Sequence, residues 1–491
     1  MSVICNFEPP SSAALRHGGI YEAAQTCHGS AMTHSVTLPA WAFVLIVLFA
    51  AVTFASHFLF PSVRWFFRKR AERVIARLNQ RLARPIEPFK LARRYDMIQR
   101  LIYDPEVTQA IVDYAHEHDV PENVAFEKAK SYAREIVPSF SATAYFSFGM
   151  RVARFLSNTL YRVRIATFPR QELNQLDPEA TIIFVMNHRS NMDYVLVTYL
   201  VSRAGALSYA VGEWARVWPL SALIRALGAY FIRRRSRGDL YRRVLARYVQ
   251  MATDAGVTQA MFPEGGLSLN GEVKPPKLGL LNYIVSNYRP GGRDVIFVPV
   301  GLNYDRVLED QFLIGADKRG VRRFRPPAMT VLRGISWHLW QRITRRFDGF
   351  GTASVGFGEP LELSLFLKAH PDLTGDRTEV VATELMDRVR AVVPVLATPL
   401  IARLLLRSPG LSPAELLTQT TICLDALHTR DMPLPQRSPS ILVDDTLSRL
   451  TERGLVAVTP QAITITDRGQ DILTYYANSI AHHFPDEKSV T

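Results

Sequence analysis

The stretch 181–194, TIIFVMNHRSNMDY, decides how the rest of the chain is read. TIIFVM is a continuous apolar run of strand length, which fits a strand buried on both faces. It is followed directly by Asn187-His188-Arg189-Ser190-Asn191-Met192-Asp193-Tyr194. A histidine can take a proton from a hydroxyl near neutral pH, and a carboxylate beside it fixes its tautomer and stabilises the imidazolium. Five positions along one continuous helix would misalign the two side chains. The pairing works if His188 sits in a strand-to-helix turn and Asp193 in the first helical turn. Ser190-x-x-Asp193 ahead of YVLV also matches a capping box, so a cap alone is the competing reading of Asp193.

Outward from this stretch the pattern alternates. Apolar runs at 229–233, 258–262 and 295–300 read as strands, and 191–203, 214–227, 239–254 and 277–288 read as helices. This alternation predicts an α/β fold with a mixed, largely parallel sheet flanked by helices. Further short strands, ASVGFG among them, are expected within 306–365. Residues 85–170 carry apolar residues at three- and four-residue spacing and read as helical, as does the chain after 378. Near the C-terminus two helices precede the short VAVTPQAITIT segment. That order is compatible with a winged-helix-like module, and a helical cap packed on the catalytic domain is the preferred reading.

In such sheets binding groups gather on loops beyond the carboxyl ends of strands, and three more blocks fall there. GAYFIRRR (228–235) sends Arg233, Arg234 and Arg235 out of a buried strand, and guanidinium groups hold phosphate by paired, charge-assisted hydrogen bonds. A basic solvated turn is the alternative. FPEGGLS (262–268) offers Glu264 as a hydrogen-bond acceptor for hydroxyls, while Gly265 and Gly266 permit close backbone approach; Lys274 and Lys277 add positive charge nearby. FVPV (297–300), continuing to Asn303-Tyr304-Asp305-Arg306-Val307, reads as an apolar wall of the site, with Pro299 placed where no ladder hydrogen bond is needed.

NHRSNMDY, GAYFIRRR, FPEGG and VPVGLNYDRV, in this order and spacing, resemble the blocks of the glycerolipid acyltransferase superfamily. They are most similar to its glycerol-3-phosphate acyltransferases, the dihydroxyacetone-phosphate branch included. The similarity reaches SYAREI before the core and YYANSIAHHF near the end. The resemblance implies that His188 is the general base and Asp193 its orienting partner. It implies substrate binding by Arg189, Ser190, Arg233, Arg234, Glu264, Gly265, Gly266, Lys274 and Lys277. The family's third block usually continues with arginine, whereas Leu267 and Leu269 stand here, so Arg235, Lys274 or Lys277 is expected to supply the missing phosphate contact.

The chain has 491 residues and a formal net charge of +13, which argues for anionic partners. Cys5, Cys27 and Cys423 are scattered, which points away from a disulfide framework or a zinc site. From Leu38 to Phe60 there is no Lys, Arg, Asp or Glu, and such a length fits a transmembrane helix. One Arg or Lys, Arg16, precedes this span, and twelve fall within residues 61–100. The positive-inside rule then places everything downstream in the cytoplasm, with a bacterial inner membrane as the expected location. The basic segment after the span reads as a helix lying on anionic lipid.

The expected organisation is a disordered tail over 1–37, a transmembrane helix over 38–61 and a basic amphipathic and helical region over 62–170. A catalytic domain follows over 171–377 and a helical region over 378–491. The expected reaction is direct acyl transfer from acyl-CoA or acyl-carrier protein to the sn-1 hydroxyl of glycerol 3-phosphate, with no metal or redox cofactor. Backbone donors near a helix start would stabilise the oxyanion. Lysophosphatidic acid, dihydroxyacetone phosphate or another lysolipid is the alternative acceptor. A membrane-tethered nucleic-acid binder is the alternative of another class; no nucleic acid is expected as a partner, since no C-terminal helix is notably basic. Membrane lipids complete the expected partners.

Overall fold

The computed structural model describes residues 39–82, 84–201, 205–212, 220–233, 238–320, 349–371, 376–430 and 432–484. The expected tail over 1–37 and Arg234 and Arg235 lie outside these. The chain divides into two compact units, Met1–Arg73 and Val74–Thr491.

The apolar segment near the N-terminus is helical, but the helix does not end with the apolar run: it continues as Ala40–Asn79 through the basic residues. The expected transmembrane span over 38–61 is not supported. Among the described residues, no helix is long and apolar enough to cross a membrane.

The second unit is built on an eight-stranded sheet. Its strands are β1 (Arg162–Thr167), β2 (Thr181–Met186), β3 (Ser208–Gly212), β4 (Tyr230–Ile232), β5 (Gln259–Met261), β6 (Val295–Tyr304), β7 (Thr352–Phe357) and β8 (Leu361–Glu362). The order across the sheet is β1-β7-β6-β2-β5-β3-β4, with β8 pairing β6. The β2, β3, β4, β5 and β6 neighbours pair in parallel, as does β1 with β7, whereas β6 meets β7 and β8 antiparallel. The mixed, largely parallel α/β sheet expected from the alternation is present. Two strands were not anticipated: β3, and β1, which begins where the helix Met150–Leu160 stops.

Burial explains why β2 is apolar throughout. Ile182, Phe184 and Met186 enter one hydrophobic cluster, and Ile183 and Val185 enter the cluster on the opposite face. Strand alternation sends successive side chains to opposite faces, and both faces here are covered by helices. One cover contains the N-terminal helices between Arg94 and Ile136, with Asp239–Asp254 and Arg377–Ala391. The other contains Met192–Val201 and the C-terminal helices Ala397–Arg407, Pro413–His428, Pro439–Glu452 and Asp467–Asn478. The C-terminal segment VAVTPQAITIT forms the antiparallel hairpin β9 (Val456–Val458) and β10 (Ile463–Ile465). Val456, Ile463 and the helices around them share the core of the sheet's own face, so this region is a cap packed on the catalytic layer.

Pro299 sits between the β8 pairing, at Ile296 and Phe297, and the β7 pairing, which starts at Val300. On that side no strand needs its missing N–H. Asn187 extends β2 beyond its last residue: its amide donates to Leu302 O at 2.9 Å and accepts from Leu302 N at 2.7 Å. The side chain thus replaces a rung of the ladder and fixes where the chain leaves the sheet.

Candidate active site

The turn after β2 places His188 before the helix Met192–Val201 and Asp193 in its first turn, the arrangement the spacing required. His188 Nδ1 lies 2.9 Å from Asp193 Oδ2. The same oxygen accepts from the backbone N–H of Arg189 at 2.7 Å and of Ser190 at 3.0 Å. Asp193 Oδ1 accepts from the Tyr304 hydroxyl at 2.6 Å. Asp193 is therefore both a cap of the turn and the partner of the histidine; the two readings coexist in one carboxylate. It is 0% exposed, and four hydrogen bonds offset the cost of burying its charge. Burial first, then the charge and hydrogen bond of Asp193, push the Tyr304 hydroxyl well above its ordinary value of 10, so it stays a donor.

Around this pair Ser190 and Asn191 are held as well. Ser190 Oγ donates to Glu309 Oε2 at 2.8 Å and accepts from Met192 N at 3.1 Å. Asn191 donates to Glu309 Oε1 from its backbone N–H at 3.1 Å and from Nδ2 at 3.0 Å. Burial raises the Glu309 carboxyl, partly opposed by these donors. The N–H groups of residues 189–192 are all committed, so the expected oxyanion donors at this helix start are not available. Asp193, Glu309 and Ser190 Oγ take them, and of these Glu309 alone was not placed at the turn by the sequence spacing.

Glu264 meets the backbone instead of projecting outward. Its Oε1 accepts from His188 N at 2.9 Å and its Oε2 from Lys274 N at 3.2 Å, so it clamps the turn after β5 to the turn after β2. Burial raises its carboxyl to about 7, against the pull of those two N–H groups and of Arg189 and Lys274. Gly265 has a φ of +70°, and a side chain there would collide with Lys277, whose Cδ lies 2.7 Å from the position of an added Cβ. Gly266 lies in the same turn, Lys274 is half-buried and Lys277 is exposed. Leu267 and Leu269, standing where family members carry arginine, pack against the core beneath the cap.

Arg189 is 1% exposed, with its guanidinium 4.6 Å from the centre of the Tyr475 ring and Nη1 donating to Gly271 O. Its Nε and Nη2 are buried without a hydrogen-bond partner. Gly271, at φ +96°, lets the loop approach the cap: an added Cβ would lie 1.9 Å from Tyr475 O. Arg233 stands apart from this group. Its Nε and Nη2 bind the buried Glu135 at 2.6–3.1 Å, and this hydrogen-bonded carboxylate raises its pKa.

The structure thus brings together His188, Arg189, Ser190, Asp193 and Glu264 with the turn of Gly265, Gly266 and Lys274, while Arg233 is engaged with Glu135 at the end of β4, the opposite edge strand. Sequence reasoning missed Tyr304, Glu309 and Glu135. Tyr304 carried a partial signal, since a tyrosine closing a buried strand needs a partner for its hydroxyl, and Glu135 stands in the SYAREI segment; Glu309 carried none. Phe262 was quoted but given no role; its ring stacks on His188 at 4.0 Å, with Tyr194 edge-on at 5.4 Å. The imidazole is 2% exposed, and the two described cavities, lined from Pro360 to Arg388 and from Arg162 to Arg449, lie elsewhere. His116 and His118 are exposed, and no group of three or more metal-ligating side chains occurs among the described residues.

The acyltransferase family profile matches residues 168–303, which take in the His188–Asp193 turn. A second profile, the glycerol-3-phosphate acyltransferase C-terminal region, matches residues 337–487 and so takes in the cap. The chain belongs to the glycerol-3-phosphate acyltransferase family and is an enzyme of glycerolipid acyl transfer. Among solved structures, it is similar to the 1-acyl-sn-glycerophosphate (LPA) acyltransferase of Thermotoga maritima, at 19% identity and a TM-score of 0.29. That likeness covers 50% of this chain and 78% of the other.

Proposed function

We propose that this protein transfers an acyl group from acyl-CoA or acyl-carrier protein to the sn-1 hydroxyl of glycerol 3-phosphate, forming lysophosphatidic acid. The observation that carries the reading is the 2.9 Å contact between His188 Nδ1 and an Asp193 carboxylate held by three further donors. With Nδ1 committed to Asp193, proton transfer falls to Nε2. The acceptor oxygen attacks the thioester carbonyl carbon as Nε2 takes the hydroxyl proton. The tetrahedral intermediate then expels the thiolate, which recovers the proton from the imidazolium, and the C–S bond is exchanged for C–O. Asp193 stabilises the imidazolium between the two steps.

Phosphate recognition is proposed for Arg189, whose Nε and Nη2 are buried without partners, and for the rim cations Arg233, Lys274 and Lys277. Arg234 belongs to the same proposal by its place in the sequence. Ser190, Glu264, Gly265 and Gly266 act on substrate through the turns they shape. With its imidazole covered by Phe262 and Tyr194, His188 meets a hydroxyl only when those rings give way, so acceptor binding is coupled to a local opening. Trp41, Phe43, Leu45, Leu48 and Phe49 are exposed around the helix Ala40–Asn79, and contact of this surface with membrane lipid is part of the proposal. Flotation with liposomes tests it.

Leu267 and Leu269 favour a second reading, in which the acceptor is itself lipid-bearing, such as lysophosphatidic acid. Purified protein supplied with labelled acyl donor and either acceptor identifies the product lipid and separates the two. His188→Ala is expected to lower transfer by about 10²–10⁴-fold. Undiminished transfer by a folded His188→Ala protein would refute the assignment.

A further inference from the structure

Strand β1 is an edge of the sheet and reads RVRIAT, so Arg162 and Arg164 project to the same face. They line a cavity of about 140 Å³ that Arg437 and Arg449 enter from the cap. Four guanidinium groups from three separate segments therefore converge on one small space. Two carboxylates line it as well, and both are already engaged. Asp445 is ion-paired with Arg437. Asp305 accepts from Thr352 N at 2.8 Å and Thr398 N at 3.0 Å. The side chains of Arg162, Arg164 and Arg449 make no hydrogen bond or ion pair among the described residues. Room for one of them is kept by Gly351, at φ +85°, where an added Cβ would lie 2.7 Å from Arg449 Nη1.

Asp445 and Asp305 answer half of this charge, and four guanidinium groups less two carboxylates leave an excess of two positive charges on the lining. The Arg162 pKa is lowered by partial burial and then by the nearby charges of Arg437, Arg164 and Arg449, with Asp445 opposing. Arginine forks match the oxygens of phosphate in bidentate geometry. A cavity of about 140 Å³ has room for a phosphate group.

We propose that this cavity is a second anion site, which binds a phosphate monoester apart from the His188–Asp193 centre. The proposal does not depend on which acceptor the enzyme acylates. The cavity wall and the catalytic pair share the end of β6: Asp305 lines the cavity and Tyr304, its neighbour in the chain, holds Asp193. Phosphate could come from a small metabolite or from a lipid headgroup, and the two are separable.

Equilibrium dialysis of the full chain, at constant ionic strength set with sodium chloride, counts bound equivalents of labelled inorganic phosphate and of glycerol 3-phosphate. A parallel arm uses short-chain phosphatidic acid below its micelle concentration. The comparison is with Arg164→Gln/Arg449→Gln, and with Arg164→Gln alone as the milder variant. One equivalent is expected to weaken by about tenfold or more in the double variant. Weakening in the small-anion arms assigns a metabolite site, and weakening confined to phosphatidic acid assigns a headgroup site. Equal stoichiometry and affinity for wild type and both variants in every arm would overturn the proposal.

Discussion

Two strand ends in this protein carry charged side chains of opposite character. At the end of β2, Asp193 is 0% exposed and receives four hydrogen bonds, from an imidazole, two backbone N–H groups and a phenol. At the end of β4, Arg233 binds one carboxylate and its side chain remains 34% exposed. In the interior an unmade hydrogen bond costs more than it does near water, so the first geometry is held from every side. The second is held from one side and keeps freedom to adjust. In the proposed reading, the fixed geometry at β2 suits a hydroxyl that must be placed closely, whereas a phosphate needs only attraction from cations such as Arg233.

The comparison breaks most severely if Asp193 proves dispensable. Asp193→Asn keeps the volume but removes the charge that stabilises the imidazolium, and it turns an amide N–H₂ toward donors. Acyl transfer measured on folded variant is expected to fall by about 10²–10⁴-fold, with little change in KM for the acceptor. A variant that kept its kcat would show that the carboxylate is a helix cap and no more.

The next largest effect concerns the clamp between the two turns, and it appears in the pH dependence of stability. Glu264 has a folded value of about 7 against an ordinary 4.5. Below about pH 4.5 its carboxyl is neutral in folded and unfolded chains alike, and its contribution is fully present. Between 4.5 and 7 the unfolded chain ionises while the folded one resists, so stability falls as pH rises, by about 3 kcal/mol over the window. Above 7 the slope from this group ends. Urea unfolding from pH 4.5 to 7.5 should show wild type losing stability relative to Glu264→Gln as pH rises, since the amide does not ionise in either state. Parallel curves would show that the carboxyl is not strained by burial.

At the end of β4, Arg233→Ala removes one cation from the buried Glu135. Breaking a buried pair costs about 3–5 kcal/mol, and the partial exposure of Arg233 reduces the expectation to about 2 kcal/mol. In the proposed reading the acceptor KM also rises, and Arg233→Lys recovers less than half of the binding because the forked contact is lost. An unchanged KM would make Arg233 a purely structural ion pair and sharpen the contrast between the two strand ends.

Much of the fold was legible because β2 and β6 are buried on both faces and must be apolar along their whole length. The same rule hid β3. SYAVG carries a buried serine and a glycine, and it becomes a strand only through its pairing with β4 and β5. In β1 the alternation Arg-Val-Arg-Ile was present in the sequence, but the helical spacing of the residues before it ran into the strand and masked the change of period. His188 and Asp193 were legible because they stand only five positions apart. Tyr304 and Glu309 were not, since their contacts with Asp193 and Asn191 cross 111 and 118 residues. Leu267 and Leu269 show the limit in the other direction: a missing arginine was plain in the sequence, but its replacement by core packing was visible only in three dimensions.

The smallest of the expected effects tests how the long-range contact divides its work. Tyr304→Phe removes one hydroxyl from a strand that otherwise keeps its packing, so the cost should be near that of a single hydrogen bond to a charged group, about 1.5 kcal/mol. If Tyr304 only fills the core, that loss appears in urea unfolding and kcat stays the same. If it fixes Asp193, kcat falls by about tenfold as well, because Asp193 Oδ1 loses its donor while Oδ2 keeps the imidazole and the two N–H groups. The two outcomes separate on one plate of variants.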